Sequence, residues 1–274
     1  MEISVLQYVL SAISGVLVGF SLGLIGGGGS ILAVPLFLYF VGLSALPNSA
    51  HIAIGTTALA VGINAYINSY MHFRKRNIAP RVGAIFAAVG LVGSLVGAYL
   101  GHLTPGTSLL TYFAIAMIAL GIYVAVRKES TRAGGSEEIN RLLEAARRCP
   151  KLTPSVVAKV VGLGFVVGLL SGYFGIGGGF LIVPSLMFSA GLCITRAIGT
   201  SLISVGTFGV ASGAEYWYYG DVLPLIAVLY VLGGVAGGYL GTSLAVKAPK
   251  DILRKAYGAI IVAVGIYMLY RIYV

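Results

Sequence analysis

The stretch GFSLGLIGGGGSILAVP (19–35) lies without a gap over GLLSGYFGIGGGFLIVP (168–184), and reading the two together decides the fold. They agree at Gly19/Gly168, Gly23/Gly172, Gly26/Gly175, Gly28/Gly177, Gly29/Gly178, Val34/Val183 and Pro35/Pro184. Each is apolar sequence interrupted by glycines. Three further blocks follow in the same order: AIGTTAL (53–59) matches AIGTSLI (197–203), GSLVGAYLG (93–101) aligns with GGVAGGYLG (233–241), and GIYV (121–124) meets GIYM (265–268). Matched blocks in one order mark a duplication, with a first repeat over 1–127, a linker over 128–155 and a second repeat over 156–274.

Both repeats are built for a bilayer. The chain is 58% hydrophobic and 9% charged, against about 25% charged residues in soluble domains. No Asp, Glu, Lys or Arg occurs from Ile3 to Phe73, and shorter charge-free runs follow through the rest. A crossing needs about 20 apolar residues. Gly, Pro and polar breaks divide the chain into ten segments: 5–25, 30–45, 50–72, 82–103, 107–126, 156–174, 178–194, 197–216, 222–246 and 256–273. Segments two and seven are the shortest and follow the glycine clusters, so each is either a full span or a half-span re-entering beside its predecessor. The N-terminal segment has no basic n-region or A-x-A site and reads as the first span, not a cleaved signal.

The charges set the orientation. Arg74, Lys75, Arg76 and Arg81, the linker from Arg127 to Lys159, and Lys247, Lys250, Arg254 and Lys255 form three basic clusters, which the positive-inside rule places in the cytoplasm. The span count then leaves Glu2, Glu215, Asp221 and Arg271 outside, with both termini. The first half starts outside and the second inside, so the expected fold is an all-α polytopic membrane protein. It has two inverted-topology repeats of five hydrophobic segments each and glycine-broken helices at the centre. Such repeats recur in secondary transporters. In the linker, SEEINRLLEAARR (136–148) spaces Ile139, Leu142, Leu143 and Ala146 as one helix face, predicting a short amphipathic surface helix. Cys149 and Cys193 form neither a disulfide framework nor a metal cluster.

Candidate substrate contacts follow from the breaks. A break at membrane depth frees backbone groups, which only protein or a wet cavity can satisfy. Helices restarting at Ser30 and Gly179 would aim N–H groups and positive dipole ends at it, attracting an anion. That marks Gly26, Gly27, Gly28, Gly29 and Ser30 in one half and Gly175, Gly177, Gly178 and Gly179 in the other. Thr56 and Thr57, and their counterparts Thr200 and Ser201, place paired hydroxyls that can donate to an oxyanion or back-bond within their helix. Arg196 is a lone cation between apolar segments, either snorkelling to the interface or recruiting the anion; its counterpart is Ile52. His51, His72 and His102 sit near segment ends and suit interfacial hydrogen bonds more than proton relay. Glycines 93, 97, 101 and 233, 237, 241 recur every four residues, a face for packing between helices or between protomers of a homodimer. No carboxylate lies clearly inside a span, since Glu215 and Asp221 bracket a short outer loop, which speaks against an enzyme, and nothing calls for a metal, a cofactor or nucleic acid.

On GGGGSILAVP and GIGGGFLIVP, each followed about twenty residues later by AIGTT or AIGTS, the chain resembles the TauE/SafE sulfite-exporter family, also called the toluene-sulfonate uptake permeases. The resemblance spans both halves. It implies a prokaryotic-type plasma membrane and a sulfite, sulfonate or related organosulfur anion as substrate, held at the glycine turns and the two G-T-[ST] stretches. The expected function is alternating-access transport of that anion; an anion channel or ligand-sensing subunit would use the same pocket. The resemblance departs from strict symmetry at Gly27, opposite Ile176, and at Arg196.

Overall fold

The computed structural model describes residues 4–75, 77–126, 153–175, 179–244 and 250–273; the expected linker helix at 136–148 lies outside them. Among the described residues the chain is helical throughout, with no strand. The first half holds α1 (Val5–Ile25), a 3-10 segment (Gly26–Leu32), one α turn, α2 (Ala33–Pro35), a π segment (Leu36–Phe40), then α3 (Ser49–Arg74), α4 (Pro80–Leu103) and α5 (Gly106–Val126). The second half holds α6 (Pro154–Phe174), α7 (Gly179–Ala190), α8 (Ile194–Tyr218), α9 (Pro224–Leu244) and α10 (Lys250–Tyr273). These elements follow the ten apolar segments.

Local chemistry explains the boundaries. Pro80, Pro154 and Pro224 open α4, α6 and α9, where a missing N–H costs nothing because no intrahelical acceptor exists there. Asn48 precedes α3 with φ 54°, a left-handed conformation that Asn tolerates. Gly175 ends α6 at φ 61°, its N–H donating to the Gly172 and Ser171 carbonyls. The restart after the first glycine cluster is irregular, tight and then wide. Pro35 sits where the winding changes, since its ring cannot accept the regular pattern of the preceding turn.

Among the described residues six helices are long and apolar enough to cross a membrane: α1, α3 and α4, and their counterparts α6, α8 and α9. At 21 to 26 residues they measure about 31–39 Å, against about 30 Å of hydrocarbon. Their polarity is that of a protein whose solvent is lipid. α4 exposes Val92, Leu95, Val96 and Tyr99 and buries Gly90, Gly93 and Gly97; α9 exposes Leu232, Tyr239 and Leu240 and buries Gly233, Gly237 and Gly241.

The helix pairs read the same when the halves are exchanged. α1 packs on α9 as α6 packs on α4, α3 on α9 as α8 on α4, while α3 meets α8 and α5 meets α10. Close glycine approaches give directions. Gly15 meets Tyr230, Gly19 meets Gly234 and Gly23 meets Gly238, so α1 and α9 are parallel. Gly90 and Gly168, and Gly172 and Ser94, make α4 and α6 parallel in the same way. Gly62 lies on Gly209 and Gly206 on Tyr66, so α3 runs antiparallel to α8; Gly121 on Gly258 and Gly265 on Ala114 make α5 antiparallel to α10. Asn64 reaches Gly234 and Asn68 reaches Gly238, aligning α3 with α9 and α1. Gly83 meets Thr200 and Gly90 meets Phe208, aligning α8 with α4 and α6.

These contacts correct one alignment. Gly90 and Gly93 of α4 do what Gly234 and Gly237 of α9 do, as Gly93 meets Phe165 and Leu169 where Gly237 meets Val16 and Phe20. The sequence pairing of Gly93 with Gly233 is therefore one helical turn out of register. A glycine every four residues matches itself after a shift of about one turn, which hides the slip. The glycine faces are also covered within the chain, by α6 and α1, so a homodimer would have to use other surfaces.

Candidate functional site

The two G-T motifs prove to be clamps between the halves. The Leu223 N–H donates to Thr56 Oγ1 at 3.0 Å, and the Ala79 N–H donates to Thr200 Oγ1 at 2.9 Å. Each donor belongs to the short extended stretch before a proline-started helix of the other half. The glycine ahead of each threonine lets that stretch approach. A Cβ on Gly55 would lie 2.5 Å from the Asp221 carbonyl oxygen, and one on Gly199 would strike the Asn77 carbonyl. Residues 221–223 thus dock on one end of the α3/α8 pair, and residues 77–79 on its other end. Thr57 donates back to the Ala53 carbonyl at 2.6 Å and Ser201 to the Ile198 carbonyl at 2.8 Å, the back-bonded state open to such residues.

The glycine turns are offset along the pair. Gly23, just before the first turn, meets Thr242, whose hydroxyl donates to Asn68, whereas Gly175 meets Ile54. Asn68 and Ile54 are about 21 Å apart along α3. Gly29 folds back on Ser21 and Leu22, Ser30 is fully buried, and α7, which starts at Gly179, packs against the 3-10 segment holding Gly26, Gly27 and Gly28. Thus the two restarts come together although the turns do not. Gly177 and Gly178 lie outside the described residues. Arg196, at the start of α8, is partly buried, with Nη1 enclosed and unpaired.

Buried polar groups missed as a set by sequence reading line the contact of α1, α3 and α9. Ser14, Asn64, Asn68, His72 and Thr242 are all at most 4% exposed. Asn68 donates to the Asn64 carbonyl at 2.9 Å and Asn64 to the Tyr230 carbonyl at 3.4 Å. Lys75 donates to the Thr242 carbonyl at 3.3 Å. Yet Ser14 Oγ and Asn64 Oδ1 have no partner, and His72 faces the Gly23 backbone. Leaving such a group unpaired costs about 1–3 kcal/mol; a core accepts that where a solute or water completes the bonds. The period of α3 gives the signal, since 64, 68 and 72 share one face.

At the end where α3 begins, an open pocket of about 480 Å3 is lined by Tyr39, Asn48, Ser49, His51, Thr107 and Arg271, among others. The first turns of α3 and α5 border it, adding their positive dipole ends to the Arg271 charge. Its electrostatics favour an anion.

An apolar exterior, six spanning helices and a polar seam inside define an integral membrane protein of the polytopic α-helical class. The Sulfite exporter TauE/SafE family matches residues 11–268. The chain belongs to that family and is a membrane transporter. It is similar to a probable membrane transporter protein of Xylella fastidiosa strain Temecula1, 44% identical over 94% of this chain and 93% of the relative. It is also similar to YdhB of Bacillus subtilis, a probable membrane transporter protein, 29% identical over 88% and 91% of the two chains. A third relative is MJ0441 of Methanocaldococcus jannaschii, likewise a probable membrane transporter protein, 28% identical over 93% and 94%. No solved structure matches the chain.

Proposed function

We propose that the protein is a secondary carrier of a small sulfur-containing anion, sulfite or a sulfonate, in a prokaryotic-type plasma membrane. Its two halves are inserted in opposite sense, with both termini outside. The observation that carries this reading is the pair of exchange-related clamps, Thr56 on Leu223 and Thr200 on Ala79, closing opposite ends of the α3/α8 pair. Opening one while the other holds exposes the interior to one side at a time, the motion alternating access requires. The family supplies the sulfur chemistry; the Arg271 pocket supplies an entry of the right charge. From it the anion passes to the glycine turns, where the 3-10 segment and α7 restart, with Arg196 as a partly buried cation toward the inner end.

The test is flux in liposomes. Saturable uptake of labelled sulfite or methanesulfonate, accelerated by unlabelled anion on the far side, is the carrier's result. A current that follows voltage without saturating would instead make the protein a channel.

A further inference from the structure

The outer end also gathers the titratable side chains the clamp does not use. Glu215 and Tyr216 come from α8, Asp221 from the loop after it, His102 from the end of α4 and His51 from the first turn of α3. His102 Nδ1 lies 3.5 Å from Asp221 Oδ2, and the His102 ring stacks on Tyr219 at 3.8 Å between centroids. His51 is 5.7 Å from His102 and 6.3 Å from Tyr216, centroid to centroid. Its Nε2 lies 3.1 Å from the Thr104 carbonyl, and the Thr104 hydroxyl is 3.2 Å from that of Tyr173 on α6. Tyr216 is fully buried and its hydroxyl, like Glu215 Oε2, has no partner. No three His, Cys, Asp or Glu among the described residues converge as a metal's ligands would.

Three facts tie this cluster to transport. Asp221 sits on the segment that clamps Gly55 and Thr56, so the His102–Asp221 pair bridges the two halves where the outer clamp closes. His51 belongs both to the cluster and to the wall of the Arg271 pocket; an anion there favours the charged form of a neighbouring imidazole. At the inner end the equivalent positions carry Met71 for Glu215 and Asn77 for Asp221, so only the outer end has this carboxylate pair.

We propose that the outer pair of His102 and Asp221, with His51 at its edge, binds a proton together with an anion in the Arg271 pocket, coupling anion movement to proton movement. The proton binds between His102 Nδ1 and Asp221 Oδ2 from the outside together with the anion, is enclosed as the outer clamp closes, and leaves with the anion when the inner clamp opens. Proton and anion travel the same way.

This inference rests on the carrier reading, and the experiment separates the two. Liposomes enclosing a pH dye receive methanesulfonate, whose charge does not change between about pH 5 and 8. The wild-type chain should take up the anion about tenfold faster at the acid end and acidify the lumen. His102→Gln and Asp221→Asn should flatten the pH dependence to within about twofold and stop the acidification, and Asp221→Glu should restore both. Wild-type net uptake of methanesulfonate with no change in lumen pH overturns the coupling and, where counter-exchange is intact, leaves the carrier standing. Loss of all exchange in both amide variants, with no rescue by Asp221→Glu, overturns the assignment in favour of a structural role. Absence of counter-exchange in the wild type removes the carrier reading and the coupling with it.

Discussion

Replacing Thr200 by valine keeps the shape of the side chain and removes the acceptor for the Ala79 N–H. That bond is 2.9 Å long and buried, so the N–H loses its partner with no water to replace it. The cost of a buried unpaired donor is about 1–3 kcal/mol. The matching bond at Thr56 is only part-buried, so Thr56→Val should cost less, about 1 kcal/mol, because water can reach the freed Leu223 N–H. Unfolding of purified protein in detergent measures both. At about 2–4 °C per kcal/mol for a chain of this size, Thr200→Val should lower the midpoint by about 2–12 °C, and Thr200→Ser, which keeps the hydroxyl, by clearly less. Because the clamps sit at opposite ends of α3 and α8, the double variant should lose the sum of the two. An unchanged midpoint with abolished anion binding would refute the reasoning: the hydroxyl would then serve the substrate, not the clamp.

Gly199→Ala should be worse than either valine, since its Cβ strikes the Asn77 carbonyl; overpacking against backbone costs about 1–3 kcal/mol or more, read as loss of folded protein by size exclusion. Gly191→Ala, at φ 63° with open space around it, should lose only the left-handed penalty of about 1–2 kcal/mol in the same unfolding assay. Arg271→Gln should weaken methanesulfonate binding from the outer side several-fold, in line with about 1 kcal/mol for one charge near water, and should blunt its salt dependence. Gly28→Leu should abolish binding while leaving insertion intact; wild-type affinity in an inserted variant would move the site elsewhere.

The ten segments, the break after α1 and α6, and the proline starts were legible because apolar length and Gly/Pro punctuation are local properties of the chain. The register of α4 against α9 was not: Gly93, Gly97 and Gly101 match Gly233, Gly237 and Gly241 as well by eye as the true partners one turn earlier. The G-T motifs stood out by recurrence. Their job as clamps depends on Ala79 and Leu223, backbone donors on segments far away in sequence, which no side-chain pattern reveals. The outer cluster was visible only piecemeal. His51, His102, Glu215 and Asp221 each looked like an interfacial residue, and the span count already put the two acids on one side, but only packing shows that His102 meets both His51 and Asp221. Offset glycine turns follow from the same packing, because α1 and α6 overshoot in opposite directions before the chain folds back.

The most direct test of two halves inserted in opposite sense uses the loops that end the two broken helices. Ala45 is exposed in the loop after the π segment, and Cys193, a free cysteine, lies in the repeat-related loop after α7. With Cys149 replaced by serine, cells carrying Ala45→Cys and Cys193→Ser together should react with a membrane-impermeant maleimide from outside. Cells keeping Cys193 alone should react only after the membrane is opened. Labelling of both positions from the same side of an intact membrane would contradict the account.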